Sequence, residues 1–148
     1  MGAAWAQAMT AQDFVNQAAS GGLFEVQSSE LALQRSQNAD VQQFANQMIT
    51  DHTANNQELM ATAQAEGLTV PAQISSPHAE LMQTLQGAEG DAFDTSYIQA
   101  QTTAHETAVT LYQTYAQGGD NQTLVAYARK SLPALQQHLE HVQGMAKN

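Results

Sequence analysis

The chain has no cysteine among its 148 residues, only four basic side chains, three prolines and one tryptophan. Without cysteine it can form no disulfide, no thiolate metal site and no cysteine nucleophile. With 14 acidic residues its formal charge is −10, and it lacks the basic footprint that nucleic-acid binding requires. We therefore set nucleic acid aside as a partner, whereas small cations would be attracted to the chain.

Long apolar segments are also missing, and no run approaches the roughly 20 residues of a membrane span. The first residues, Met1 to Ala6, contain neither a basic segment nor a long apolar stretch, so they do not form an intact signal peptide. An exported chain that begins just after a removed signal would have this start, and so would a cytosolic chain. The residues alone leave both possibilities open.

Several catalytic signatures are absent as well. The sequence contains no Glu-x-x-His pair, although di-iron carboxylate bundles use two of them together with further glutamates. It also has no glycine-rich phosphate loop and no Gly-x-Ser-x-Gly turn for a serine nucleophile. We therefore expect a binding protein rather than an enzyme.

Alanine and glutamine are abundant in what remains, and both residue types favour helices. β-Branched and aromatic residues are scarce, which disfavours a β protein. A chain of 148 residues fits one domain with its own hydrophobic core. We predict an all-α fold, with an N-terminal tail over residues 1–10 and one helical-bundle domain over residues 11–148.

Apolar residues spaced three and four apart predict four long amphipathic helices. The predicted ranges are 11–37, 41–66, 91–117 and 121–148. Thr10 and Asp40 are the expected N-caps of the first two helices, and Gly67 is the expected residue just beyond the second. Short links join the first two helices and the last two, so each pair should pack antiparallel.

Three local features leave the path of the chain partly open. Gly21-Gly22 lies inside the first predicted helix and would mark a close helix–helix approach, a bend or a break. The connection over residues 68–90 contains a short extra helix from Pro77 to near Gly87, and we expect it to cross one end of the bundle. Pro133 lies inside the last helix and predicts a kink there.

Three histidines, His52, His105 and His138, fall on the apolar stripes of three predicted helices. Glu25 lies on the inward stripe of the remaining one. Counting about 1.5 Å per residue from the turns places Glu25, His52 and His105 at one depth in the bundle. By the same count His138 lies about one turn beyond that depth. The pattern predicts that each long helix points one possible ligand at the bundle axis.

Imidazoles with one carboxylate form a ligand set that suits zinc, copper, iron or nickel. Met48 lies one turn before His52 and slightly favours copper, because a thioether is a soft ligand. Only neutral imidazole binds a metal, so we expect affinity to fall as histidines protonate below about pH 6.5. Auxiliary ligands could come from four further residues: Asp51, Glu58, Glu106 and His141.

Another interpretation needs no metal. Inward histidines in helical bundles commonly hydrogen-bond a backbone carbonyl, a hydroxyl group or water, and tyrosines and methionines commonly fill cores. The chain would then be a structural or interaction module that acts through an acidic, glutamine-rich surface. A redox enzyme is a third interpretation, which the thin set of acidic ligands disfavours. We expect His78, in the long connection, to be solvated.

The order and spacing of several short segments resemble the bacterial family DUF4142 over residues 14–142. The segments are Phe14-Val15, Ala18 to Leu23, Glu25-Val26, Phe44-Ala45, Met48-Ile49, Asp51-His52, Ala54-Asn55, Glu58-Leu59, Val70-Pro71, Phe93-Asp94, Tyr97, His105, Ala108-Val109, Leu132 to Leu135 and His138-Leu139. The resemblance implies a ferritin-like, four-helix antiparallel bundle. It also implies an exported, periplasmic protein whose signal peptide is missing from this chain.

The resemblance further implies that Glu25, His52, His105 and His138 occupy the family's motif positions. The second histidine motif of the family usually reads Asp-His, whereas Ala104 precedes His105 here, so an acidic partner is absent. We expect a periplasmic metal-binding bundle, for metal buffering or stress protection, in which these four residues hold a zinc, copper or iron ion. The sequence indicates no particular protein partner.

Overall fold

A computed structural model of the chain describes residues 9–147, and within that range the chain forms five α-helices and no strand. The helices are α1 (Ala11–Arg35), α2 (Ala39–Ala65), α3 (Ser76–Gln86), α4 (Gly90–Gly118) and α5 (Gln122–Met145). The all-α fold, with four long helices and a short extra one in the long connection, is confirmed. In the range described, no helix is both long and apolar enough to cross a bilayer. The predicted tail, residues 1–10, lies outside the described residues except for its last two.

Side-chain caps define the starts of the first two helices. The Thr10 hydroxyl accepts a hydrogen bond from the Asp13 backbone amide at 3.1 Å, and the Asp13 carboxylate accepts one from the Thr10 amide at 3.3 Å. This reciprocal pair is a capping box and confirms the predicted N-cap. The prediction of Asp40 as a cap is wrong, because Asn38 accepts from the Asp40 and Val41 amides and α2 begins at Ala39. Asp40 instead lies in the first turn, where a carboxylate interacts favourably with the helix dipole.

The four long helices pack so that each is antiparallel to its two neighbours, in the order α1, α2, α5, α4 around the bundle. Hydrogen bonds between helices that are distant in sequence fix this arrangement. Helices α1 and α4 are joined by Ser29–Tyr97 and Ser28–Gln101, and α2 and α5 by Asn55–Ser131 and Asp51–His138. Short turns join α1 to α2 and α4 to α5. The long connection must therefore carry the chain back along the whole bundle. Membership of the ferritin-like superfamily and the division into tail and domain stay predictions.

The short helix α3 runs along α1 instead of crossing an end of the bundle, which corrects the sequence prediction. At its start, His78 Nδ1 lies 2.6 Å from Ser20 Oγ, and His78 is half-buried rather than solvated. At its end, the Arg35 guanidinium donates to the carbonyls of Leu85, Gln86 and Ala88. A cation on the last carbonyls of a helix satisfies acceptors that have no partner within it. The return path therefore follows α1 because both ends of α3 are bonded to it.

Two hydrophobic clusters fill the bundle, one toward each end. Phe14, Leu59, Tyr112, Leu124 and Tyr127 belong to the first cluster. The second cluster contains, among others, the buried residues Phe24, Phe44, Met48, Phe93, Tyr97, Leu85 and Val142. On α2, α4 and α5 the inward histidines fall between the residues of one cluster and those of the other. The bundle therefore has an apolar core that is interrupted by a polar layer near its middle.

Gly22 marks a close approach of α1 to α2, and α1 is continuous through the glycine pair. A Cβ atom placed on Gly22 would overlap the side-chain amide of Asn56. Of the three possibilities that the sequence left open, the structure therefore shows the close helix–helix approach, because glycine here makes room for a neighbouring side chain. Helix α5 is likewise continuous through Pro133.

Alanine substitutions at two helical glycines should act in opposite directions. Gly144→Ala, where an added Cβ meets nothing within 4 Å, should raise the free energy of unfolding by about 0.5–1 kcal/mol, since alanine favours helix. Gly22→Ala should lower it by about 1 kcal/mol, the low end of overpacking costs, because the half-buried Asn56 side chain must move away from the new Cβ. Urea unfolding measures both. Adding Asn56→Ala should remove the penalty, and an unchanged penalty in that double variant would contradict the proposed overlap.

Candidate metal centre

Three buried histidines meet in the polar layer, one from each of α2, α4 and α5. The ring centroids of His52, His105 and His138 lie 5.8, 5.4 and 5.6 Å apart in the three pairs. One nitrogen from each ring lies within 4.8 Å of those of the other two. The residues are only 7%, 1% and 3% exposed. Side chains from three separate helices thus converge on one small volume shielded from solvent.

His138 lies level with the other histidines, although residue counting placed it about one turn away. The count considered Cα positions alone. Each Cα–Cβ bond in a helix tilts toward the helix N-terminus, so side chains on antiparallel helices lean in opposite directions. His105 on α4 leans away from the α4–α5 turn, and His138 on α5 leans toward it. The two tilts close the gap between their Cα levels.

Hydrogen bonds fix the tautomers of two of the rings. His105 Nδ1 lies 2.9 Å from the Gln101 carbonyl oxygen, which only accepts, so Nδ1 carries the hydrogen. His138 Nε2 lies 2.8 Å from Asp51 Oδ2, and Nε2 therefore donates to that carboxylate. The lone pairs remain on His105 Nε2 and His138 Nδ1. Metal-binding histidines are typically oriented in this way, by a carbonyl or a carboxylate on the second ring nitrogen.

The nitrogens that could bind a metal have no other role among residues 9–147. His52 Nε2, His105 Nε2 and His138 Nδ1 are buried there without a hydrogen-bond partner. Leaving a buried polar atom unsatisfied costs about 1–3 kcal/mol. A metal ion would satisfy all three, because neutral imidazoles supply the required lone pairs. Tetrahedral binding brings such nitrogens to about 3.4 Å from one another, so the rings would close inward modestly. The residues present therefore fit a three-histidine metal centre.

Glu25 lies beside this group rather than within it. Its Oε2 atom is 3.7 Å from His105 Nδ1, the nitrogen that bonds Gln101, and Glu25 is 4% exposed. Burial raises the pKa of Glu25 well above its usual value, and a hydrogen bond with Gln101 opposes that rise. Its Oε1 atom finds no hydrogen-bond partner within the described part of the chain. A direct bond from Glu25 to a metal stays a prediction.

Sequence reasoning missed a row of polar residues behind Glu25. Gln101 Nε2 donates to Ser28 Oγ at 2.9 Å, and the Tyr97 and Ser29 hydroxyls lie 2.7 Å apart. All four residues are buried. Gln101 lies one turn before His105, and the serines lie one turn after Glu25, so helical spacing from the candidate ligands could have identified them. These hydrogen bonds join α1 to α4 and so stabilise the side of the centre that the two helices form.

The four expected auxiliary residues are placed differently from one another. Asp51 reaches the centre through its bond to His138. Glu58 forms an ion pair at the surface, with a distance of 3.0 Å to a lysine of α5. Glu106 and His141 are exposed. Asp51 alone of the four therefore contacts one of the three histidines.

Burial keeps the imidazoles neutral. It lowers the pKa of His52 well below 6.5, and the neighbouring charges that His105 and His138 would carry lower it further. Burial also lowers the pKa of His105 to about 4. The pKa of His138 falls for the same reason, although Asp51 opposes the shift. Loss of metal on acidification should therefore begin at a lower pH than the value of about 6.5 that free histidine predicts.

The family model "Domain of unknown function (DUF4142)" matches residues 1–145, and the chain belongs to that family. Three solved structures share its fold. CopM in its Cu(II)-bound form has a TM-score of 0.76 at 17% identity, covering 94% of this chain and 97% of CopM. A DUF305 fragment from Deinococcus radiodurans has a TM-score of 0.79 at 16% identity, with coverage of 94% and 97%. A DUF305 protein from Streptomyces coelicolor, named as a secreted protein, has a TM-score of 0.74 at 13% identity, with coverage of 92% and 91%. No curated protein shows significant similarity to the chain.

Burial of His105 should make the stability of the metal-free protein depend on pH. The pKa of His105 is about 4 in the folded chain and 6.5 ordinarily, so the unfolded chain takes up a proton first as the pH falls. The stabilisation is complete above pH 6.5 and should be lost progressively as the pH falls toward 4, by up to roughly 3 kcal/mol. Urea unfolding with a chelator across this range measures the loss.

Glu25 has the opposite effect on how stability depends on pH. Because its pKa is raised in the folded chain, it contributes stability at low pH that is lost as the pH rises through the folded-state pKa. The contribution of His105 is therefore best measured in a Glu25→Gln background, in which residue 25 does not titrate. There, His105→Gln should reduce the dependence of unfolding free energy on pH, and His52 and His138, whose pKa values burial also lowers, should account for the remainder. A slope that is the same with and without His105 would show that burial does not shift this group.

Proposed function

We propose that this member of the DUF4142 family is an exported metal-binding protein that holds one transition-metal ion, copper in preference to others, at His52, His105 and His138. Two observations support the proposal: the three buried histidines converge to within reach of one ion, and each has one imidazole nitrogen without a partner among residues 9–147. Two of the rings have their second nitrogen bonded to a carbonyl or a carboxylate. A histidine that only filled a core could form the same bond, so the support for a metal comes from the other nitrogen of each ring, which has no partner among residues 9–147.

The donor set favours copper for two reasons. Divalent first-row metals bind a given nitrogen site most tightly when the metal is copper. Met48 is fully buried one turn before His52, and a soft thioether near imidazoles suits Cu(I). The similar structure CopM is known in Cu(II)-, Cu(I)- and silver-bound forms, which supports the same choice here. Zinc and iron are the competing ions for a three-histidine centre.

Glu25 enters the proposal as the acidic partner of the centre. A cation that enters a layer of neutral imidazoles is stabilised by a nearby negative charge, and Glu25 lies 3.7 Å from His105. Its carboxylate would either contact the metal or act through His105. In both cases Glu25→Gln should weaken binding of a divalent ion more than binding of a monovalent one.

The role that fits these features is buffering of metal or protection from metal stress outside the cytoplasm. A formal charge of −10 attracts cations to the chain. Export, and a periplasmic location in particular, is supported by the family resemblance and by the similar protein from Streptomyces coelicolor that is named as secreted. The lack of any Glu-x-x-His pair disfavours di-iron chemistry.

Removal of one histidine should sharply reduce copper affinity. Tag-free protein should bind one Cu(II) per chain at neutral pH in a competition assay with a chromogenic chelator. His52→Ala and His105→Ala should each weaken binding by more than about 100-fold, beyond the effect typical of an outer partner. His141→Ala, at an exposed position on α5 one turn after His138, is the histidine control and should weaken binding far less than either ligand variant. Unchanged stoichiometry and affinity in both ligand variants would favour the structural or interaction module.

Asp51 should contribute to affinity without touching the ion. Asp51→Asn removes the carboxylate that orients His138, and such a loss typically costs about 10–100-fold in metal affinity. Glu58→Gln is the control, since Glu58 is an acidic residue of the same helix whose ion pair lies at the surface. The same competition assay compares them. Equal affinities in the two variants would mean that the Asp51–His138 bond does not support the centre.

A further inference from the structure

A cavity of about 620 Å³ lies against the three-histidine centre. It is bounded by α1, α3 and α4 and extends inward to α2. Exposed residues at its rim, Thr84, Thr103 and Thr107, place its mouth between α3 and α4. Sites for small organic molecules typically measure about 300–1,000 Å³. The volume is far larger than a metal ion needs.

The cavity meets one side of the centre only. His52, His105 and Glu25 line it, whereas His138, bonded to Asp51, does not. The three lining residues are buried and each has one polar atom without a partner among residues 9–147. Three protein ligands leave a fourth position on a tetrahedral metal for water or another molecule. The cavity therefore gives that fourth position space for something larger than water.

The walls indicate what could occupy the space. Ala18, Leu81, Leu111 and Leu135 supply apolar surface, and the side-chain amide of Asn56 also lines the cavity. The charged residues among the lining side chains are Glu25 and Glu80, and no lysine or arginine lines this cavity. Apart from the bound metal ion, a buried anion would meet no cation there and would lie beside acidic side chains, which makes its burial costly. A neutral molecule with an apolar body fits these walls best.

The outer wall is held in place at both ends. His78 bonds Ser20 at the start of α3, and Ser20 Oγ also accepts a hydrogen bond from the Ser75 backbone amide at 2.8 Å. Arg35 bonds the carbonyls at the end of α3. A wall fixed in this way keeps the cavity open without a bound molecule. Preformed pockets of this kind bind ligands without the cost of ordering a loop.

We propose that this cavity binds a small neutral molecule with an apolar body and one nitrogen donor, and that the donor takes the fourth position on the metal held by His52, His105 and His138. The inference rests on the proposed metal centre. It assigns the protein a metal-dependent ligand site and thereby goes beyond storage of the ion.

Paired probes test the cavity directly on the Cu(II)-loaded protein. Imidazole, 4-phenylimidazole and benzoate are titrated while the visible absorption and the electron paramagnetic resonance spectrum of copper are recorded. We expect 4-phenylimidazole to bind at least tenfold more tightly than imidazole, because its phenyl group can leave water for the apolar wall. Benzoate should bind more weakly than either, because the cavity is lined by acidic side chains and by no basic ones. Equal affinities for the two imidazoles, or preference for benzoate, would overturn the proposal.

A cavity-filling variant locates the site. Ala108→Phe adds a ring at a lining position one turn after His105, and Ala54→Phe makes the same change at an exposed position on α2. The first should abolish the preference for 4-phenylimidazole and leave copper stoichiometry intact, and the second should preserve the preference. A preference that survives Ala108→Phe in a folded, copper-bound variant would contradict the assignment. Copper bound without any probe preference overturns the cavity proposal alone, whereas absence of copper binding overturns the metal centre and the cavity site together.

Discussion

Burial of three imidazoles and a carboxyl group in the middle of a helical bundle is costly, and the surrounding structure is organised around that cost. Several of their polar atoms have no hydrogen-bond partner among residues 9–147, and an unsatisfied buried polar atom costs about 1–3 kcal/mol. The apolar clusters on either side, with Phe14 in one and Phe44 in the other, supply the hydrophobic stabilisation that offsets it. Apolar residues at these positions would pack without this loss of hydrogen bonding. A costly polar layer that is so well enclosed is expected where it has a function.

The same burial would favour binding of the proposed metal ion. It keeps His52, His105 and His138 in the neutral form that binds metals, so that no proton must leave them first near neutral pH. Gln101 and Asp51 set the directions of two rings before any ion arrives. The cavity on the side of His52 and His105 would then give a bound ion access to the further ligand that we propose. In this proposal, stability, metal affinity and access all depend on one layer of side chains.

The sequence predicts local structure well where one turn of chain decides it. The capping box at Thr10 and the left-handed glycine at Gly67, with a φ of 74°, both depend on neighbours in sequence. The path of α3 could not be predicted in that way, because it is set by Arg35 and Ser20, which are distant in sequence. The three histidines could be found from their spacing on the apolar stripes. The level of His138 and its bond to Asp51 could not be predicted from spacing, because they depend on the direction in which each side chain leans from its helix.

X-ray absorption at the copper edge, on protein loaded with one equivalent of Cu(II), tests the three-histidine centre most directly. The account predicts three imidazole nitrogens at about 2.0 Å, the distance usual for histidine ligands. In His105→Ala, the multiple scattering from imidazole should fall by about one ring of the three. A first shell of oxygen atoms without imidazole scattering, or a spectrum that His105→Ala leaves unchanged, would contradict it.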